Sequence, residues 1–342
     1  MSTIRDVARH AGVSTMTVSR VLNNSGYVSV EARERVEAAI AELGYVPNSL
    51  ARSLRSKQTR TVALVFTDVT NPFFTTLARG AEDAASHHDF NVILCNTDES
   101  EAKQDRYLAV LLQKRVDGIL LVPARSRSEP VMLIQRQGVP VVVMDRRVPA
   151  AQVDVVRCDS ERGAYEMTRY LMDLGHRHIA LLTGPEGVST ARDRVLGYLR
   201  ALSEDGQPIE DAMVVYGDFT QASGYDMAQQ VLGLPLPPTA LFAANNFIAA
   251  GAFRALSDAG LEVPTDVSIV TFDDLPAAWA YEPFMTVVEQ PAYDMGYQAT
   301  ELLFARLSGQ APDACQEVIL PTRIIVRHSS GSPLVTGGPR DH

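Results

Sequence analysis

Several polar and charged side chains stand directly behind apolar runs, where the end of a buried strand would hold them over a common cleft. Asp145 follows Val-Val-Val-Met144, Asn245 and Asn246 follow Leu-Phe-Ala-Ala244, and Asp273 and Asp274 follow Ile-Val-Thr-Phe272. Arg192 and Arg194 open a helical stretch beyond the turn Gly184-Pro-Glu-Gly187. Carboxylates, an amide and a guanidinium can bracket adjacent hydroxyl groups, and a few convergent polar groups in a largely apolar cleft are the general form of a small-ligand site. Each acidic residue also has a plainer reading as a helix N-cap or surface turn. A different chemistry is offered near the N-terminus. Arg20 can give a bidentate fork to guanine O6 and N7, while Thr15 and Met16 can touch a thymine methyl. The chain lacks GxGxxG behind a strand, GxxxxGK[ST], GxSxG and HExxH, so no local motif supports an enzyme.

Positioning the first group requires strands, and the sequence supplies them. Thr61-Val-Ala-Leu-Val-Phe66, Asn91-Val-Ile-Leu-Cys95, Gly118-Ile-Leu-Leu-Val122 and Val139-Pro-Val-Val-Val-Met144 read as buried parallel strands. Helical stretches near Phe74–His87, Lys103–Arg115 and Pro130–Gln137 separate them. A second set follows in Ile179-Ala-Leu-Leu182, Met213-Val-Val-Tyr216, Ala240-Leu-Phe-Ala243 and Val267-Ser-Ile-Val-Thr-Phe272. Such alternation predicts doubly wound α/β sheets that bind ligands at the carboxyl ends of their strands.

The N-terminal group needs helices. Ile4, Val7, Ala8 and Ala11 fall at helical spacing and Gly12 breaks the run. Ser14 can cap a second helix from Thr15 to Leu22, with Val18, Val21 and Leu22 inward and Thr15, Met16, Ser19 and Arg20 outward. A third helix, capped by Ser29, carries Val30, Val36, Ile40 and Leu43 among its apolar positions and ends at Gly44. Two short helices joined at a glycine with a third as buttress make a helix-turn-helix, which puts its second helix into the major groove. Spacing alone is satisfied equally by an ordinary three-helix surface bundle.

Charge is divided between these parts. The formal net charge is −10, yet residues 1–60 hold 9 Lys+Arg against 5 Asp+Glu, so a basic module precedes an acidic body. A content of 46% hydrophobic and 21% charged residues excludes a disordered chain. No apolar run approaches the roughly 20 residues of a membrane span, and the first residues lack a secretory core, so a cytoplasmic protein without membrane contact is expected. Cys95, Cys158 and Cys315 form no CxxC pair and are expected as buried thiols, without metal. His176 and His178 are expected at a solvated strand entry.

Two longer stretches carry a resemblance. Ile4-Arg-Asp-Val-Ala-Arg-His-Ala-Gly-Val-Ser-Thr-Met-Thr-Val-Ser-Arg-Val-Leu-Asn23 resembles the N-terminal signature of the LacI/GalR family of repressors, and Leu43-Gly-Tyr-Val-Pro-Asn-Ser-Leu-Ala-Arg-Ser-Leu54 resembles that family's hinge segment. The likeness continues to about residue 328. It implies a helix-turn-helix domain over 1–46 and a hinge helix and linker over 47–60. A periplasmic-binding-protein-like domain over 61–330 would follow, with lobe 1 about 61–159 and 291–322 and lobe 2 about 160–290 and 323–330. Crossings between lobes would fall near Asp159, Gln290 and Thr322, and residues 331–342 would be a disordered tail. Thr15, Met16 and Arg20 would then read bases of double-stranded operator DNA, and Ser14, Thr17, Asn23 and Tyr45 would hold phosphates. Asn48 to Arg55 would form a hinge helix whose Leu54 wedges into the minor groove. The resemblance assigns effector contacts to Asp145, Arg194, Asn245 and Asp273 and aromatic walls to Phe73, Phe74 and Phe219, a set like that of sugar-responsive members. Asn246 departs from the family, where aspartate is usual. No cofactor is implied beyond a small-molecule effector, expected to be a carbohydrate. A homodimer is expected, formed through helices near Tyr107–Leu112 and Phe247–Leu256, and the tail lacks the leucine heptad of tetrameric relatives.

Overall fold

The computed structural model describes residues 2–46, 58–149, 151–275 and 283–334. The chain divides into two compact units, Met1–Thr59 and Arg60–His342.

The first unit is a three-helix bundle of α1 (Ile4–Ala11), α2 (Thr15–Leu22) and α3 (Val30–Leu43). Each start is fixed by a hydroxyl. Thr3 and Asp6 make a reciprocal capping box, and Ser14 and Ser29 accept from the amides of Thr17 and Ala32. Gly12 and Gly44 end α1 and α3 in the left-handed region, at φ 64° and 54°. Val7, Ala8, Ala11, Val18, Val21, Val36 and Ala39 close the core. One expected inward position differs, since Leu22 packs only at the core's edge, and the apolar Val30 is 70% exposed in the first turn of α3, ahead of the helix face that meets the bundle.

The second unit contains two six-stranded sheets. In the first, β1 (Thr61–Phe66), β2 (Asn91–Asn96), β3 (Gly118–Leu121), β4 (Val141–Met144), β5 (Asp154–Cys158) and β11 (Glu317–Leu320) lie in the order β11-β5-β4-β3-β1-β2, all parallel. The second holds β6 (Ile179–Thr183), β7 (Val214–Tyr216), β8 (Ala240–Ala243), β9 (Ser268–Phe272), β10 (Thr286–Glu289) and β12 (Arg323–Ile325) in the order β12-β10-β9-β8-β6-β7. The two sheets are the expected doubly wound parallel ones, with one antiparallel edge strand. β12 runs antiparallel to β10, because the chain leaves β11 and enters the other sheet within two residues, without a helix to turn it around. The strands β5, β10, β11 and β12 are additions to the sequence reading.

Between strands come α4 (Pro72–His87), α5 (Glu101–Gln113), α6 (Glu129–Arg136), α7 (Ser160–Asp173), α8 (Ser189–Glu204), α9 (Gln221–Leu232), α10 (Asn246–Asp258) and α11 (Ala292–Leu307). Both faces of each sheet's centre are covered, so the central strands are buried runs rather than alternating ones. The two helices α4 and α11 approach backbone to backbone. A Cβ on Gly80 would lie 2.1 Å from the Tyr293 carbonyl oxygen, and one on Gly296 would lie 2.0 Å from that of Leu77. This contact fixes α4, whose first turn carries Phe73 and Phe74.

Two sequence expectations fail at the periphery. His176 is buried, not solvated: its ring nitrogens bond Thr239 Oγ1 at 2.8 Å, Ser268 Oγ at 3.2 Å and the Gly331 carbonyl at 2.8 Å. The Gly331 N–H also donates to Ser268 Oγ, so this residue lies against β9. Cys95 and Cys158 are buried, but Cys315 is exposed because it lies in the loop before the edge strand β11.

Candidate functional site

A cleft of about 560 Å³ opens between the two sheets at the carboxyl ends of their strands. Phe73, Phe74, Asp145, Arg194, Phe219, Asn245 and Asp273 all line it. The fold builds its two floors alike. Asp145 follows β4 and Asp273 follows β9, both at φ 62°, and their amides donate to Val156 O and Val288 O of the next strand at 2.9 and 3.0 Å. Left-handed backbone is uncommon for side chains other than Gly, Asn and Asp, and strained residues gather at ligand sites.

On the first sheet's side, Asp145 leads into Arg146, which the sequence reading did not single out. Arg146 donates to both oxygens of Glu99 at 2.7 and 2.5 Å and to the carbonyls of Pro123 and Ala124 at 2.8 and 3.0 Å. Its guanidinium stands 5.7 Å from the Phe219 ring centroid, across the cleft. Phe73 and Phe74 meet edge to face at 5.0 Å, and both belong to the core as well as to the cleft wall.

Across from them, Arg194 is 4% exposed and lies 3.9 Å over the Phe272 ring while donating to the Ala244 carbonyl. Its Nε is buried without a hydrogen-bond partner. Gln290 Nε2 bonds both carboxylate oxygens of Asp273, at 3.1 and 2.9 Å. Asn245 caps α10 by accepting from Ile248 N at 2.8 Å, so the capping role and a place in the cleft coexist. The tip of the Phe219 ring lies against Gly184, where a Cβ would come within 2.2 Å of Cζ. That contact is why a glycine stands in the turn after β6. Asn246 is buried in a reciprocal amide pair with Asn71, both bonds at 3.0 Å, and also donates to Asp274 O. The aspartate usual there could not donate either bond.

Burial governs the charges. It pushes the Asp273 carboxyl up to about 7, against the pull of Arg194 and Gln290 and with help from Asp145. Burial likewise raises Asp145, opposed by Arg146 and Arg194, and lowers Arg194, opposed by Asp273 and Asp145. Arg194 thus acts on both buried carboxyls through space, while the direct ion-pair partner of Asp145 is Arg146 at 3.7 Å. Glu99, Arg146 and Gln290 were missed because nothing local in the sequence marks them. Only the adjacency of Arg146 to Asp145, and the place of Gln290 at a crossing between lobes, were visible.

In the first unit, Thr15, Met16 and Arg20 form an exposed face of α2, with Met16 64% exposed. Arg20 has no carboxylate partner among the described residues. The residues matched to phosphate contacts are more committed. Ser14 accepts from Thr17 N and shares a 3.0 Å contact with Thr17 Oγ1. Asn23 donates to Ser19 O at 2.8 Å, and Tyr45 packs at the edge of the core. Asn48, Leu54 and Arg55 lie outside the described residues.

Comparison with known proteins agrees with both units. Residues 3–48 match the model of bacterial regulatory proteins of the lacI family, and residues 59–327 match that of periplasmic binding proteins and the sugar binding domain of the LacI family. The ribose operon repressor of Escherichia coli (strain K12) is 39% identical over 331 residues, covering 96% of this chain and 100% of the relative. Two solved structures are similar along the same 96% of the chain. One is a transcriptional regulator CelR–cellobiose complex, with 36% identity, TM-score 0.73 and 100% of that chain covered. The other is a lac repressor dimer bound to operator and the anti-inducer ONPF, with 29% identity, TM-score 0.84 and 99% covered. Among the described residues no helix is long and apolar enough to cross a membrane. The chain belongs to the LacI family of DNA-binding transcriptional regulators.

Proposed function

We propose that the protein is a cytoplasmic repressor that holds a pseudo-palindromic operator as a homodimer and releases it when a neutral sugar enters the cleft. The observation that carries this reading is the convergence of Asp145, Arg146, Arg194, Asn245, Asp273 and Gln290 on one cleft, in a chain whose α2 also presents Arg20 outward. Ribose is the first sugar to try, since the 39% identical relative is a ribose operon repressor, and cellobiose is the second. The inner charges of the cleft compensate one another, whereas Asp68 and Asp218 at its rim have no cationic partner among the described residues. A negative rim disfavours a phosphorylated sugar.

Thr15, Met16 and Arg20 would read bases, while Ser14, Thr17, Asn23 and Tyr45, with Asn48 and Arg55 of the hinge, would hold the backbone and Leu54 would open a central step. The partner subunit would pack on α5 and α10, whose Val110 and Phe253 are exposed, and beside the edge strand β2, where Leu94 is 54% exposed. Closure on sugar changes the lobe arrangement and through it the hinge. A coupling of roughly 1–3 kcal/mol would alter operator affinity about 5–150-fold. A gel shift on the DNA upstream of the chain's own gene, with ribose, cellobiose and ribose 5-phosphate added separately, tests this reading. Release by ribose alone is expected, and binding unaffected by any neutral sugar would sink it.

The raised Asp273 carboxyl gives the sugar response a pH signature. Its folded value, about 7, exceeds the ordinary 3.8. The sugar-free protein therefore loses this group's contribution to stability as pH climbs from the ordinary value through about 7. Sugar hydroxyls donate to a carboxylate, so affinity should move the other way, rising up to about tenfold per pH unit below that value and levelling above it. Calorimetric titration between roughly pH 6 and 8.5 reads this directly, with Asp273→Asn expected to bind weakly and flatly. A flat profile in the parent protein would remove the Asp273 carboxylate from the contact.

A further inference from the structure

A second cavity, of about 370 Å³, lies along the same seam between the lobes and shares no lining residue with the strand-end cleft. The first sheet's side contributes Ser126, Arg147 and an apolar wall including Val148, Pro149, Val153 and Val155, while α8 contributes Ser189 and Arg192. Its polar groups have a common character. Arg147 donates to Asp193 through one terminal nitrogen, but its Nε is sealed from solvent without a partner. Arg192 has no ion-pair partner among the described residues. Ser189 Oγ accepts from Arg147 N and Ser126 Oγ accepts from Ser189 N, both at 2.8 Å, so each hydroxyl keeps its hydrogen to give. The one carboxylate on the lining, Glu317, is already bonded by Arg157 at 2.5 Å, and Gln316 supplies an amide with both characters. Donors are therefore in surplus, from both lobes, beside an apolar face.

We propose that this cavity binds a phosphate monoester, the phosphate bridging Arg147 of one lobe and Arg192 of the other and the organic part lying on the valine wall. Two guanidiniums and two hydroxyls offer more donors than a carboxylate's oxygens take up, and a phosphate dianion presents three terminal oxygens. An anion spanning both lobes favours the arrangement in which the strand-end cleft is assembled, so it acts as a co-effector that tightens sugar binding. The cavity and the cleft thereby differ in the charge they accept, the rim carboxylates of the cleft repelling what this seam takes up.

The test uses the full chain at fixed ionic strength, with inorganic phosphate and phenyl phosphate as probes and sodium chloride as the control. Both phosphates are expected to raise the melting temperature above the chloride control, phenyl phosphate binding about tenfold tighter through the apolar wall. Arg192→Ala, a change at an exposed residue, should weaken phosphate binding tenfold or more while leaving ribose affinity measured without phosphate unchanged. Arg192→Lys should recover part of the loss. Phenyl phosphate should raise ribose affinity about threefold or more. Phosphate binding is read here without sugar, so it stands or falls independently of which sugar the cleft takes. A melting temperature no higher than in chloride, an Arg192→Ala variant that binds phosphate as the parent does, or competition between phenyl phosphate and ribose for one site would each overturn the proposal. Unaltered ribose affinity in saturating phenyl phosphate would overturn its role as co-effector.

Discussion

Arg194→Met is expected to abolish sugar binding, by about a hundredfold or more, and to lower the unfolding free energy by about 1–3 kcal/mol at pH 8, the range for leaving a buried polar group without its partner. Methionine fills much of the same volume, so the loss is electrostatic rather than a cavity effect. What remains is a buried Asp273 with Gln290 as its partner and, among the described residues, no nearby cation drawing it down, while Asp145 keeps Arg146 at 3.7 Å. Asp273 responds by taking up a proton, because it already sits at about 7. The destabilisation should accordingly shrink at pH 6, where a neutral Asp273 needs no counter-charge, and grow toward pH 8. Chemical denaturation at the two pH values separates this from simple loss of packing over Phe272, which would be the same at both. The double variant Arg194→Met with Asp273→Asn should regain part of the stability and none of the sugar binding. An equal loss at both pH values would show that the guanidinium serves the Phe272 ring and the Ala244 carbonyl rather than the carboxylates.

What the sequence disclosed of this site follows from where information is local. Asp145, Asn245 and Asp273 were legible because each stands one residue past a buried apolar run, and strand ends in an open α/β sheet converge on one crevice. The long strands were legible for the same reason. β5, β10, β11 and β12 were not, being runs of only a few residues at sheet edges or crossings, where apolar pattern is too brief to stand out from loop. The polar partners were hidden more thoroughly. Glu99 lies in a loop far from Arg146 in the chain, and only the fold brings its carboxylate to the guanidinium. His176 looked like a solvated residue ahead of β6 because its partners, Thr239, Ser268 and Gly331, come from three distant segments. Local chemistry could be read, whereas pairings at long sequence separation could not. The helix-turn-helix was readable almost in full, since its caps, its glycine breaks and the burial of Val18 and Val21 are all set within a few residues.

That local completeness makes Arg20 the sharpest probe of the DNA-facing half. Val18 and Val21 hold α2 in the bundle, and Arg20 points away from them beside Gly26, where a Cβ would stand 3.5 Å from Arg20 Nε. Arg20→Ala should therefore leave the stability of the bundle within about 0.5 kcal/mol of the parent, the usual range for a surface change. Operator binding should respond quite differently. A bidentate arginine–guanine contact discriminates by about 1–3 kcal/mol, and a twofold dimer makes it in both half-sites, so operator affinity should fall by about 2–6 kcal/mol in sum. The loss should be specific: binding to random duplex, which rests on phosphate contacts, should change little, and base preference should relax at one symmetric pair of positions. Arg20→Lys keeps the charge but not the planar fork, so it should retain non-specific affinity and still lose the base preference. Titrations of operator and random duplex at one fixed salt concentration give both numbers. If Arg20→Ala weakened the two duplexes equally, the guanidinium would be a phosphate contact. The reading of sequence would then have to come from Thr15 and Met16 or from the bend imposed on the DNA.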